Sequence, residues 1–138
     1  MVLKAIGVVD SDLCSFCCGA RDSIRHMFWN CYVIQQFWEK LTSKMKMKCP
    51  NMVNFNMSES LAILGCDNDL HTDSIVYFII LLAKQYIYQC KSQTVIPNLS
   101  GFLAKLKYRY QIEEHISRKR FMYNEFSNKW YPYKTLFN

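Results

Sequence analysis

Three cysteines and one histidine lie close together near the start of this chain: Cys14, Cys17, His26 and Cys31. Their spacing, C-x2-C-x8-H-x4-C, can bring three thiolates and one imidazole around a single ion. Zn²⁺ binds such ligands tetrahedrally, and a site with four protein ligands leaves no position open for a substrate. The spacing therefore predicts a small module that folds around a structural zinc ion, with Zn²⁺ as its cofactor, rather than an active site.

A second register of the same motif is open, because Cys18 can replace Cys17 with the spacing C-x3-C-x7-H-x4-C. We prefer Cys17, since a gap of two residues is the common chelate spacing. A cluster of buried thiols without metal is disfavoured, because it would place reactive thiols together. His26 and Cys31 are five positions apart, so we expect a helix that contains them to be distorted near Cys31. The remaining cysteines are single and are interpreted as small buried apolar residues: Cys49, Cys66 and Cys90.

The composition predicts a mainly α fold. Only four Gly and three Pro interrupt the 138 residues, and 51% of the residues are hydrophobic, enough for a packed core. We expect a small zinc-binding turn–helix module over residues 1–48, packed on a helical bundle over residues 49–138 that ends in a long basic helix. The longest apolar run, residues 75–83, is too short for a membrane span, which needs about 20 residues.

Helical periodicity and capping residues indicate where the helices begin and end. The expected elements are a first helix from a cap at Asp22 or Ser23 to Leu41, a linker over 42–57, a short helix over 58–65, a buried helix over 75–90, and a third helix from Asn98 or Ser100 to 130.

The net charge of +6 is unevenly distributed along the chain. Residues 1–90 contain eight Lys or Arg and eight Asp or Glu, whereas residues 91–138 contain nine Lys or Arg and three Glu, a difference of +6. Such a one-sided basic segment predicts an anionic partner, with nucleic acid first, although a solvated helix face is the alternative. No segment resembles a secretory signal, and seven cysteines, an odd number, favour metal ligation in a reducing compartment. We therefore expect an intracellular protein of the cytoplasm and nucleus, without a membrane partner.

The residues around the motif resemble a known family. The run from Val8 to Cys17, the run from Asp22 to Cys31 and the pair Phe37-Trp38 are similar to the zinc-binding region downstream of the polymerase in LINE-type (non-long-terminal-repeat) retrotransposon reverse transcriptases. There the pattern reads approximately D-x-C-x-x-C, then E-x-I-x-H-h-F-x-x-C, then F-W. This chain departs from it with Tyr32, where the family often has Pro, and with Asp22 as the acidic residue. Later segments also resemble the family's C-terminal tail: residues 83–91, Pro97, residues 102–104, 106–107 and 112–113, and Lys129-Trp130.

The resemblance implies roles for this chain. It implies that Cys14, Cys17, His26 and Cys31 bind zinc, with Cys18 as an extra cysteine. The family's polymerase and endonuclease motifs lie upstream and have no match here, so we expect no enzymatic activity from this chain. It implies a nucleic-acid-binding domain that holds template RNA at the element's 3′ end, or target DNA, for the upstream polymerase domain of the same polyprotein.

The residues of the basic segment can perform such binding. Lys and Arg neutralise phosphates and release counterions, and exposed aromatic rings stack on unpaired bases. A non-catalytic interaction or scaffold module that docks on the polymerase is the alternative function. The predicted nucleic-acid contacts are Lys105, Lys107, Arg109, Arg118, Lys119, Arg120 and Lys129 for phosphates, and Tyr108, Tyr123 and Trp130 for bases.

Overall fold

The computed structural model describes residues 13–17, 19–65 and 73–137, and within them the chain is mainly α-helical, as predicted. A π-helical turn precedes the first α-helix, and two 3₁₀ segments follow the first and last. Cys18 and Cys66 lie outside the described residues, as does the run before Leu13 that contributed to the resemblance. The elements are the π-turn His26–Asn30, α1 (Tyr32–Lys48), the 3₁₀ turn Pro50–Met52, α2 (Glu59–Leu64), α3 (Ser74–Gln93), α4 (Leu99–Lys119), α5 (Tyr123–Trp130) and the 3₁₀ segment Tyr131–Phe137.

Side-chain caps begin several of these helical segments. The side-chain oxygens of Ser23, Ser58 and Asn98 each accept a hydrogen bond from the backbone N–H three residues later, at 3.1, 3.2 and 2.6 Å. Such caps satisfy backbone donors that have no partner inside the helix. At the other end of α2, Gly65 adopts the left-handed conformation, with φ of +76°, that commonly closes a helix. The predicted helix starts at Ser23, Ser58 and Asn98 and the predicted stop at Gly65 are therefore confirmed.

Helix α1 is longer than predicted, and the linker assigned to residues 42–57 is wrong over its first part. The chain remains helical to Lys48, because Met45 continues the apolar face and is buried in the core. The helix ends at Cys49, whose backbone is extended. Pro50 explains this end, since a residue before proline is driven out of the helical region.

The long third helix is also interrupted, so the prediction of one helix to residue 130 is wrong at residues 120–122. The N–H of Met122 donates to the carbonyl of Ser117 at 2.8 Å, and the N–H of Phe121 donates to that of Arg118 at 3.3 Å. Together with φ of +58° at Phe121, these bonds form the Schellman motif that ends many helices. The basic segment is therefore two helices, α4 and α5, joined by a tight turn.

Helices α1, α3 and α4 bury their apolar faces against one another. Phe37 of α1 lies 5.8 Å from Phe102 of α4, edge to face, and 6.0 Å from Tyr86 of α3. Edge-to-face and tilted contacts of this kind add to the stabilisation from apolar burial. Buried residues before and after Lys48 belong to the same hydrophobic core. The division into units 1–48 and 49–138 stays a prediction.

Among the described residues, no helix has the length and apolarity needed to cross a membrane.

The C-terminal 3₁₀ segment is fastened to the body through Tyr133. Its buried hydroxyl donates to the Asp73 carboxylate at 3.1 Å and accepts from the Asn51 amide at 3.0 Å. Thr135 donates its hydroxyl to the Lys48 carbonyl at 2.7 Å, which satisfies a free acceptor at the end of α1. Burial raises the pKa of Tyr133 far above its usual value, so its hydroxyl stays protonated as a donor.

Candidate metal centre and basic surface

The first two predicted ligands lie in a tight turn. The N–H of Cys14 donates to the carbonyl of Ala20 at 2.8 Å, and an isolated antiparallel bridge joins Leu13 to Arg21. Cys17 lies inside the loop that these bonds close. The turn therefore holds two thiols close together before the helical region begins.

A π-helical turn positions the other two ligands. The N–H of Cys31 donates to the carbonyl of His26 at 3.0 Å, a bond between residues five apart that defines a π-helix. Two side chains of α1 stabilise this unusual turn: the Trp38 indole donates to the Phe28 carbonyl and the Gln35 amide to the Trp29 carbonyl, each at 2.7 Å. The predicted distortion near Cys31 is confirmed, and it allows ligands five positions apart to meet.

The ligand atoms of Cys14, Cys17, His26 and Cys31 all lie within 4.8 Å of one another. The sulfurs of Cys14 and Cys31 are 3.9 Å apart, and the sulfur of Cys17 is 3.3 Å from Nε2 of His26. Around a tetrahedral Zn²⁺ these distances would be about 3.8 Å and about 3.6 Å. The donor types and these two separations therefore suit a metal ion such as Zn²⁺, and the three cysteines are free thiols rather than disulfides.

Backbone groups and a lysine favour the thiolate form at Cys14. Burial by itself would raise the pKa of Cys14, but the backbone N–H groups of Cys17 and Phe16 and the Lys91 ammonium outweigh burial and lower it. Burial raises the pKa of Cys31 to about 11. A metal ion must therefore displace a tightly held proton from Cys31, as metal binding to thiols does in general.

Lys91, on α3, is the part of the site that the sequence analysis missed. Its ammonium lies 3.2 Å from the sulfur of Cys14 and 2.8 Å from a carboxylate oxygen of Asp22, and it is 4.8 Å from the centre of the Phe16 ring. Three thiolates, one imidazole and Zn²⁺ carry a net charge of about −1, which one ammonium can balance. No sequence signal could indicate this contact, because Lys91 is 77 positions from Cys14.

The described ligand set uses Cys17, whereas the alternative ligand Cys18 lies outside the described residues. Cys49 and Cys90 are buried away from this set, as predicted for single cysteines. The prediction for Cys66 concerns a residue outside the described part of the chain.

The predicted nucleic-acid contacts divide into three groups, of which the first lies at the turn between α4 and α5. We call residues 118–123 the tip. Its three cationic side chains are exposed, and the Arg118 guanidinium lies 3.9 Å from the centre of the Tyr123 ring. Tyr123 is half-buried, with the Phe126 ring 6.1 Å away on the same helix. The tip thus brings together four of the predicted contacts: Arg118, Lys119, Arg120 and Tyr123.

A second group contacts the protein itself. Lys105 donates to the Gln89 side chain at 2.6 Å, and burial lowers its pKa. Arg109 pairs with Glu113 at 3.4 Å and lies over the Phe78 ring at 6.0 Å. These two cations are therefore already engaged with α3 and α4, and they are weaker candidates for phosphate binding than the prediction assumed.

The third group is exposed but dispersed. Lys107 and Tyr108 are exposed on α4, the latter to 67%, and Lys129 is exposed on α5. Lys129 lines a cleft together with Arg120, so it lies near the tip. Apolar side chains also line this cleft, as do the carboxylates Glu113 and Glu125.

The prediction that Trp130 stacks on bases is corrected. Its side chain is only 4% exposed, because it packs edge to face on Phe78 at 5.8 Å and on Tyr110 at 5.2 Å. A buried ring in such contacts cannot meet a base without unpacking the core. Phe121, which lies within the range predicted for the third helix, is 95% exposed.

No protein-family model matches the chain, and comparisons with curated proteins and with solved structures give no match.

Proposed function

We propose that this chain is a zinc-stabilised, nucleic-acid-binding C-terminal domain of a LINE-type retrotransposon polyprotein. In this proposal it acts in the cytoplasm and nucleus, where it holds template RNA, or target DNA, for the upstream reverse transcriptase. The retrotransposon origin has its support in the sequence resemblance alone, which is most specific in the cysteine–histidine block. The binding role has additional support in the arrangement of charge at the tip.

The zinc part of the proposal is supported by the ligand geometry. The four ligand atoms are grouped within 4.8 Å, and three of the four residues are buried. Cadmium and cobalt also accept thiolate and imidazole ligands, but Zn²⁺ is the usual ion of structural sites with three cysteines and one histidine. In such sites the ion contributes to folding rather than to catalysis.

The tip is the observation that carries the binding part of the proposal. Three adjacent cations, Arg118, Lys119 and Arg120, are exposed at the end of a 21-residue helix. The described residues give these three side chains no acidic partner in an ion pair, whereas Arg109 has one. Cations without such partners are available to neutralise phosphates and to release counterions.

A titration at several salt concentrations tests this proposal. Fluorescence anisotropy with single-stranded RNA, duplex RNA and duplex DNA would give the dissociation constants. If the three tip cations, Lys107 and Lys129 each neutralise one phosphate, the slope of log K against log salt on a single strand is about −3.5. Affinity should then fall about 100-fold between 50 and 200 mM salt, by the same relation. Absence of binding at 50 mM salt would refute the proposal.

A second candidate function, docking on the upstream polymerase, is favoured by an exposed apolar strip on α3. Leu81 and Tyr88 are seven residues apart on one face of this helix and are 62% and 61% exposed. They line one cleft together with Phe28. A pull-down assay would test whether the wild-type chain captures the upstream domain and whether the double variant Leu81→Ser, Tyr88→Ser loses this capture. If both hold and the wild-type chain gives no RNA shift in a gel assay at moderate salt, docking is favoured over nucleic-acid binding.

A further inference from the structure

The tip contains a phenylalanine in an unusual position. Phe121 occupies the left-handed position of the Schellman motif, with φ of +58°, where glycine is the common residue. A bulky side chain in this conformation is strained, whereas glycine is not. At 95% exposure, the ring gains almost no burial in return. Neither the helix end nor the core therefore explains why this residue is phenylalanine.

Thr94 provides a comparison within the same chain. It ends α3 in the same motif, also with φ of +58°, and the N–H of Val95 donates to the Cys90 carbonyl at 2.8 Å. The left-handed backbone is thus a recurring way for this chain to end a helix. What distinguishes Phe121 is its exposed aromatic ring directly beside three cations.

The neighbouring groups give this ring a chemical context. Arg118, Tyr123 and Asn124 line a shallow hollow together with Phe121. The guanidinium of Arg118 already covers the Tyr123 ring at 3.9 Å, so Tyr123 has less free surface than the sequence analysis assumed. Phe121 keeps both ring faces open, and the exposed amide of Asn124 can donate to or accept from a base edge.

We propose that Phe121 is a base-stacking residue that receives an unpaired nucleobase of a single strand while the adjacent Arg118, Lys119 and Arg120 hold the flanking phosphates. The inference rests on the proposed function, which it deepens from nucleic acid in general to single-stranded segments. Aromatic stacking is tolerant of sequence, because every base has a flat face. In a duplex the bases are paired and stacked on their neighbours, so no base face is exposed for the Phe121 ring to stack on. Binding at the tip should therefore discriminate single strands from duplexes and be largely independent of sequence.

The variant Phe121→Gly tests the proposal directly. Glycine removes the ring and suits the left-handed backbone, so the thermal midpoint should stay the same or rise. Binding of a fluorescein-labelled oligouridylate of about 12 nucleotides should weaken about 5- to 140-fold, which corresponds to the stacking of one base. Binding of an abasic oligomer of the same length, which carries phosphates but no bases, should be unchanged. The variant Phe121→Trp should keep the affinity for oligouridylate and show fluorescence quenching on binding.

A matched control and the possible outcomes separate this inference from the proposed function. Tyr88→Ala removes another exposed ring, on α3, away from the three cations, and should leave oligouridylate binding unchanged. If Phe121→Gly binds oligouridylate as the wild type does, the stacking inference is overturned while the proposed function stands. If the wild type binds no oligomer at all, the proposed function fails. If Phe121→Gly weakens binding only to vesicles of anionic phospholipid, the ring contacts lipid and the inference is overturned.

Discussion

Replacement of Lys91 by methionine should weaken zinc binding although Lys91 is not a ligand. Methionine keeps much of the apolar stem but removes the ammonium that donates to Cys14 and to Asp22. The anionic metal site would then face the Asp22 carboxylate without a cation between them. A protonated Cys14 tolerates loss of the ammonium better than a zinc-bound thiolate does. The substitution should therefore destabilise the metal-bound state more than the metal-free state.

The magnitude follows from the two contacts. A hydrogen bond to a charged group contributes roughly 1.5–3 kcal/mol. The lysine and aspartate side chains are 12% and 22% exposed, so solvent screens them in part. We therefore take one such bond, about 1.5–3 kcal/mol, as the difference between the bound and free states. This converts to about a 12- to 140-fold loss of zinc affinity, close to the roughly 10- to 100-fold loss that is usual for partners of metal ligands.

Competition with a chromogenic zinc chelator measures this affinity. Lys105→Met is the matched control, because it removes the same charge from a half-buried lysine that hydrogen-bonds Gln89 instead of a ligand. Lys91→Arg should retain much of the wild-type affinity, and Lys91→Met with Asp22→Asn should recover part of the loss. A zinc affinity for Lys91→Met within twofold of the wild type would show that the lysine contact does not support the site.

Three further predictions address the ion, the tip and the C-terminal segment. Chelation of the ion should remove a contribution on the order of 10 kcal/mol to the free energy of unfolding. The amides of α1 should then undergo hydrogen exchange before those of the other helices, and unchanged circular dichroism and melting would exclude a structural metal. Replacing residues 118–120 together with glutamine should reduce the salt slope on single strands by about 2, and an unaltered slope would exclude the tip as the contact surface. Tyr133→Phe should lower the free energy of unfolding by about 1–2 kcal/mol at neutral pH, measured with urea. Because burial raises the pKa of Tyr133 above 10.0, the unfolded chain loses this proton first as pH rises. The contribution of the Tyr133 hydroxyl to the free energy of unfolding should therefore shrink above about pH 10. If the wild type and Tyr133→Phe still differ in this free energy as much as they do at neutral pH, the role of the hydroxyl as a buried donor is contradicted.

The metal ligands could be predicted from sequence because they are local. All four lie within one turn and one helical segment, and the five-residue gap between His26 and Cys31 even indicated a helix distortion. Lys91 could not be predicted, since its place beside Cys14 depends on how α3 packs against the turn. Contacts between distant segments leave no periodicity or spacing in a single sequence.

The errors along the helices have two physical causes. The alternating lysines and methionines before Cys49 suggested a linker, but packing of Met45 in the core keeps the segment helical. At the other end, no Gly or Pro marks the turn at Phe121, and a strained non-glycine residue in a Schellman motif gives no sequence signal. The burial of Trp130 was missed for a related reason, because that turn changes which face of α5 meets the core.

The zinc content of the purified protein tests the central claim most directly. Protein expressed without added metal and purified under reducing conditions should contain one zinc ion per chain, as measured by inductively coupled plasma mass spectrometry. The Cys31→Ser variant should contain much less, while Cys49→Ser, which alters a buried cysteine outside the ligand set, should retain the wild-type content. Absence of stoichiometric zinc in the wild type, or a disulfide at Cys14, would contradict the account.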